Sequence, residues 1–188
     1  MDINILYINL DKRLDRKKHI ENELVGLNYE RIEAVLDQEN GYKGCVQSHI
    51  KALNYAKEKG YSQVIIIEDD FEFIEKNKFT IPKINFDVCL FEVLVKKKEI
   101  IEGEGSYIRV LQGEHTGCYL IKEHYYDTLI QNFQESCDLL QNKYNRVNFL
   151  DIYWIALQEQ DMFITPTIPV GQQREDYSDI QGINIKRY

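Results

Sequence analysis

Glu68, Asp69 and Asp70 follow directly on the apolar run Val64-Ile65-Ile66-Ile67. Three consecutive acids closing a β-branched run suit one piece of chemistry above others, the holding of a divalent cation. Two carboxylates about 4 Å apart repel by roughly 4 kcal/mol at an effective dielectric near 20, so a cluster at the rim of a core needs a compensating charge. Oxygen-only ligands favour Mn²⁺ or Mg²⁺ over zinc. Side chains alternate along an extended chain, which predicts Glu68 and Asp70 as the metal-facing pair and points Asp69 the other way. A solvated acidic turn closing a strand is the plain alternative.

The elements that must position these acids follow from the hydrophobic pattern. A continuous apolar run of this length reads as a strand buried on both faces, and ligands of open α/β sheets bind beyond the carboxyl ends of such strands. Ile3 to Asn9 reads as a first strand, and Ile20, Leu24 and Leu27 recur at helical spacing after it. Tyr29 to Val35 is a second strand, Gly41 and Gly44 mark a loop, and Val46, Ile50 and Leu53 define a helix over Cys45 to Lys59, with Gly60 at the C-cap. Downstream, Asp87 to Glu92 is a strand, and Ile108 to Leu111 pairs with Thr116 to Ile121 across a turn at Gly113. Lys96 to Lys98 and Gly103-Glu104-Gly105 form a solvated hairpin region, helices cover Glu123 to Phe133 and Phe149 to Glu159, and Met162 to Thr165 is followed by a polar tail. The β-α alternation followed by mixed strands argues an α/β fold with a mostly parallel central sheet flanked by helices.

A chain of 188 residues, 44% hydrophobic and 29% charged, is a globular protein with a sizeable core. We expect one domain over 1–188, with halves at about 1–70 and about 71–188. Cys45, Cys89, Cys118 and Cys137 form no Cys-x-x-Cys pair and read as reduced thiols. A net charge of −8 argues against a nucleic-acid partner. It also means that a diphosphate brought to the acid cluster needs a cation between them. With no apolar run long enough to span a bilayer and no signal-peptide pattern at Met1 to Asn4, a cytoplasmic setting is expected.

Other residues are placed for binding. Arg13 and Arg16 follow the first strand, where guanidinium groups can pair with phosphate oxygens, with Arg13 the preferred one of the two. His115 is a further candidate, as a third metal ligand or an acceptor contact. The tail carries Gln172, Gln173, Arg174, Ser178 and Asp179, side chains fit to hydrogen-bond a polar ligand and to fold over it.

With these landmarks in place, the chain resembles glycosyltransferase family 25, which contains bacterial lipooligosaccharide galactosyltransferases and collagen hydroxylysine galactosyltransferases. The likeness runs through Tyr7-Ile8-Asn9-Leu10-Asp11 with Arg13 and Arg16, Gly44-Cys45 with Ser48-His49, Glu68-Asp69-Asp70, Thr116 to Ile121, Asp151, and Val170 to Ile180. Lys43 and Cys118 depart from it. The resemblance implies a GT-A-type, Rossmann-like single domain that transfers galactose or glucose from a UDP-sugar, with Mn²⁺ or Mg²⁺, to a hydroxyl of a glycan or glycosylated polypeptide. It implies an inverting reaction with Asp151 as general base, and donor contacts from Asn9, Arg13, Ser48, His49, Asp69, Gln172 and Ser178. The metal ligands it implies are Glu68 and Asp70. Trp154, three residues beyond Asp151, is a core residue or an acceptor platform. A catalytically inactive nucleotide-sugar or glycan-binding module on the same fold is the alternative.

Overall fold

The computed structural model describes residues 3–142 and 144–185. The chain opens β-α-β-α-β: β1 (Asn4–Asn9), α1 (Leu14–Glu23), β2 (Tyr29–Glu33), α2 (Gly41–Glu58) and β3 (Gln63–Glu68). A short β4 (Phe71–Phe73) precedes a long hairpin of β5 (Val88–Ile100) and β6 (Tyr107–Lys122). Then come α3 (Tyr126–Asn142), α4 (Leu150–Tyr153), α5 (Ile155–Gln160), β7 (Phe163–Pro166), β8 (Gly171–Gln173), and the small pair β9 (Tyr177–Ser178) and β10 (Ile183–Asn184).

Six strands form the central sheet in the order β2-β1-β3-β6-β5-β7. β1 runs parallel to both β2 and β3, β5 runs parallel to β7, and β6 is antiparallel to its neighbours. The expected mixed α/β architecture with a mostly parallel, helix-flanked sheet is therefore present. The β-branched run explains its centre. Val64 and Ile66 face the layer of α2 and α3 with Val46, Leu53, Leu129 and Phe133, while Ile65 and Ile67 face the α1 layer with Ile20 and Leu24. All four strand residues are fully buried, as a strand sandwiched between two helical layers requires.

Four local expectations are corrected. Gly41 and Gly44 lie in the first turn of α2, which Asn40 caps by accepting from the Lys43 amide at 3.3 Å. Gly44 is there for space, since a Cβ would stand 2.7 Å from the Val35 carbonyl oxygen. Gly113 is not a turn either. It lies inside β6, where a Cβ would meet Val93 Cγ2 at 2.6 Å, so Ile108 to Leu111 and Thr116 to Ile121 are one strand. Lys96 to Lys98 continue β5, paired to β6 through register shifts beyond the core, and the reversal comes at 101–106 around Gly103 (φ +74°). The helix expected over Phe149 to Glu159 is broken at Trp154.

Candidate active site

The carboxyl ends of β1 and β3, the segment after β2, the first turns of α2 and the tail enclose a cleft of about 150 Å³. Asn9, Arg13, Ser48, His49, Glu68, Asp69, Asp70 and Ser178 all line it, so most of the sequence-derived candidates converge at one place. His115, Asp151 and Gln172 are outside this lining. Ser48 is tied into the fold: its hydroxyl accepts from the Val35 amide (2.8 Å) and donates to the Gly44 carbonyl (2.7 Å). Gln172 donates to Glu72 at 2.8 Å, and it is Gln173, one strand position on, that reaches Asp70 Oδ2 at 3.1 Å.

The three acids are divided differently from the expected alternation. β3 ends at Glu68 and the chain turns at Asp69 and Asp70 to enter β4, which pairs with β8, so the extended geometry is not maintained past the strand end. Arg16 Nη1 bridges Asp69 Oδ1 (3.1 Å) and Asp70 Oδ2 (2.9 Å), and Asn9 Nδ2 donates to Asp69 Oδ2 at 2.7 Å. Glu68 instead turns to His49 Nε2 (3.3 Å) and accepts from the Thr116 hydroxyl (2.8 Å).

The electrostatics separate the acids further. Burial, then the neighbouring charge of Glu68, pushes the Asp70 carboxyl up to about 7 despite Arg16. Burial also raises Asp69. Glu68 is held below the usual carboxylate range because hydrogen bonds and charge from His49, with Thr116, outweigh its burial. Asp70 Oδ1 is buried without a hydrogen-bond partner among the described residues. A buried carboxylate oxygen of that kind fits a hard divalent cation.

A second group forms next to Glu68. His115, the non-glycine residue with a positive φ (79°) among the described residues, places Nδ1 2.6 Å from Glu92 Oε1. Backbone strain of this kind persists only where surrounding contacts hold it. Its amide donates to Asp151 Oδ2 at 3.4 Å. The hydrogen bond to Glu92 raises the His115 imidazole, and burial raises Asp151. Glu92 accepts from the Gly117 amide at 3.2 Å, and a Cβ at Gly117 would stand 2.6 Å from Glu92 Oε2, so the glycine makes room for the acid. Sequence reasoning missed Glu92, although a lone acid within Val88-Cys89-Leu90-Phe91-Glu92-Val93-Leu94 is a readable signal. Trp154 is fully buried, edge-on to Tyr119 and Phe163, and belongs to the core.

The tail supplies the least foreseen contacts. Asp176 pairs with Arg13 (3.1 Å) and Arg16 (3.2 Å), and Asp179 pairs with Lys12 (2.7 Å) and Arg13 (2.5 Å). The Tyr177 carbonyl accepts from Arg13 (3.1 Å) and Arg16 (2.9 Å). Lys12, Arg13 and Arg16 are thus all engaged by this chain's own oxygens.

No family model matches the chain, and no curated protein matches it. Among solved structures, it is similar to the glycosyltransferase GlyE of Streptococcus pneumoniae TIGR4 in its apo form, with a TM-score of 0.52 and 11% identity over 86% of this chain and 44% of that one. The chain therefore spans less than half the length of GlyE. A glycosyltransferase involved in glycosylation of the major capsid of PBCV-1 aligns with a TM-score of 0.45 and 12% identity over 87% of this chain and 92% of that one. A Drosophila β1,4-galactosyltransferase 7 variant in complex with manganese, UDP-Gal and xylobiose aligns with a TM-score of 0.48 and 8% identity, over 92% and 71%. At these identities the likeness is one of fold alone. No helix among the described residues is long and apolar enough to cross a membrane.

Proposed function

We propose that this protein is a UDP-sugar-dependent hexosyltransferase of the family 25 type, moving galactose or glucose to a hydroxyl of a glycan or glycosylated polypeptide with inversion. The observation that carries this reading is the convergence at one sheet end of Glu68 and Asp70, the partnerless Asp70 Oδ1, and the guanidinium groups of Arg13 and Arg16. Carboxylates and guanidinium groups side by side suit a metal diphosphate, which presents both signs of charge.

Glu68 and Asp70 would hold Mn²⁺ or Mg²⁺, which would supply charge stabilisation for the departing UDP. Asp69, fixed by Asn9, faces the sugar or ribose hydroxyls, and Arg13 and Arg16 pair with phosphate oxygens. His115, with the neighbouring Glu92, faces the metal or the acceptor. Asp151 takes the proton of the acceptor hydroxyl as that oxygen attacks the anomeric carbon, and burial, which raises its proton affinity, suits it to this task. Asp151→Asn is expected to slow transfer about 10²-fold, the lower end for loss of one general base, with donor affinity unchanged. An equal loss of UDP binding would instead make Asp151 a donor-site residue.

A cleft of about 150 Å³ is smaller than the roughly 300–1,000 Å³ of ordinary ligand sites, so a nucleotide sugar enters only as the tail withdraws. Asp179 contributes about 1 kcal/mol to holding the tail in place, since the Lys12 side chain is 54% exposed and Asp179 is less buried than the aspartates at the strand end. Asp179→Asn should therefore tighten UDP binding by roughly five-fold in isothermal titration. Unchanged or weaker binding would mean that the tail acid contacts the donor rather than competing with it. The whole reading is tested by thermal shift against UDP-galactose, UDP-glucose and UDP-N-acetylglucosamine with and without Mn²⁺. A donor at 100 times its dissociation constant stabilises by about 2.7 kcal/mol. No shift with any donor, cation present, would sink the proposal.

A further inference from the structure

On the α2 side of the cleft, apart from the Arg16-bridged aspartates, three side chains of different chemistry converge. Cys45 and His49 are four residues apart and so share one face of α2. Glu68 reaches them from the end of β3. The thiol sulfur, an imidazole nitrogen and a carboxylate oxygen lie within 4.8 Å of one another.

We propose that Cys45, His49 and Glu68 form a site for a thiophilic divalent cation of the zinc class, with a further coordination position facing the cleft. Two ligands at 2.0–2.1 Å from a tetrahedral zinc stand about 3.3 Å apart, and His49 Nε2 and Glu68 Oε1 are already separated by 3.3 Å. The outer contacts are of the kind that orient metal ligands: Tyr119 Oη lies 3.0 Å from His49 Nδ1, and the Thr116 hydroxyl donates to Glu68. A hydroxyl can accept from or donate to Nδ1, so the ring can present a lone pair at Nε2 without losing that bond. His49 is buried and stacked on the Tyr119 ring, which fixes its plane. All three ligands line the cleft, and this leaves an open position as in zinc sites that bind water or substrate. The sulfur decides the metal: a Cys-His-carboxylate set selects zinc or cobalt over magnesium or manganese. The proposal goes beyond the sugar-transfer reading and does not require it, because it concerns the chain and the cation alone.

The test is titration of the full chain with Co²⁺, reduced and free of oxygen and nucleotide. Expected are a sulfur-to-cobalt charge-transfer band in the near ultraviolet and strong visible bands of tetrahedral cobalt, saturating at one equivalent and removed by Zn²⁺. Cys45→Ser and His49→Gln should abolish the sulfur band, whereas Cys137→Ser and Asp70→Asn should keep it. Glu68 is common to this site and to the donor cation of the sugar-transfer reading, so the two cations compete for it. Asp70→Asn removes only the donor cation's other ligand, and retention of the band there shows that the sulfur site fills without it. Loss of the band there would merge the two sites and overturn the proposal. Absence of the band in the wild type, or its survival in folded Cys45→Ser, overturns the proposal. Should Cys45→Ser fail to fold by circular dichroism, wild-type alkylation read by mass spectrometry decides. Zn²⁺ should slow modification of Cys45 about ten-fold, since the bound thiolate is no longer free to react, and equal rates with and without zinc overturn the site.

Discussion

Asp70→Asn is expected to lower sugar transfer by on the order of 10²–10³-fold, the range for removing one preorganised group that stabilises transition-state charge. In cation-free buffer the same substitution should make the fold more stable at alkaline pH. The sign follows from the carboxyl itself. Its folded pKa is pushed up to about 7 from an ordinary 3.8 by burial and by the charge of Glu68. A raised folded value means that the native state retains a proton the unfolded chain has released. The associated stability is fully present below about pH 4 and is lost as pH rises through about 7. Each pH unit of displacement is about 1.4 kcal/mol, so the loss amounts to a few kcal/mol at most. Asparagine does not ionise and lacks this slope, so the variant should melt above the wild type at pH 8, and Mn²⁺ should reverse the order by stabilising only the wild type. Chemical denaturation at pH 5 and 8, with and without Mn²⁺, alongside UDP release assays, reads both effects. Near-native turnover with intact metal dependence would remove Asp70 from the cation site.

Arg16→Ala should cost about 3–5 kcal/mol, the range for deleting one partner of a buried ion pair and leaving the other charge uncompensated. Its side chain is only 11% exposed and meets Asp69, Asp70 and Asp176. Burial opposes the guanidinium charge, but Asp70 and Asp69 more than offset it and raise its proton affinity. Adding Asp70→Asn to Arg16→Ala should restore part of the loss, because the stranded carboxylate is then neutral, and a double-mutant cycle measures that coupling. A single-variant change under about 1 kcal/mol would mean the bridge behaves as a solvent-screened surface pair.

The legible parts of this protein are those with one physical cause. The run at Val64 to Ile67 announces a strand buried on both faces, and Ile20 with Leu24 announces a helix laid on one of them, since burial sets both periods. The gathering of Asn9, Arg13 and the acids follows because parallel β1 and β3 bring their ends to the same rim. The β5–β6 hairpin was obscured because the outer part of β5 is exposed residue after residue, so Lys96 to Lys98 carry no alternation to read. Gly113 and Gly44 resembled turn residues but answer to crowding by Val93 and by the Val35 carbonyl, and crowding belongs to tertiary contact rather than local sequence. The division of Glu68 from Asp69 and Asp70 depends on where the strand stops. The partnership of Asp176 with Arg13 and Arg16 spans about the whole chain, a separation that no local pattern encodes.

One narrow strand pairing sets the radius of the tail's travel. β8 is laced to β4 from Phe71 to Phe73, and Gly171 lies so flat on the Phe71 ring that a Cβ would sit 2.1 Å from two of its carbons. That rivet fixes the chain as far as Gln173, while the acids that plug the cationic corner follow within a few residues. Counted from the rivet to Asp179, a fully stretched tether spans only roughly 20 Å at about 3.4 Å per residue. On the proposed opening of the tail, the plug stays within reach of its socket, so re-closure is a short tethered search whose rate should not depend on protein concentration.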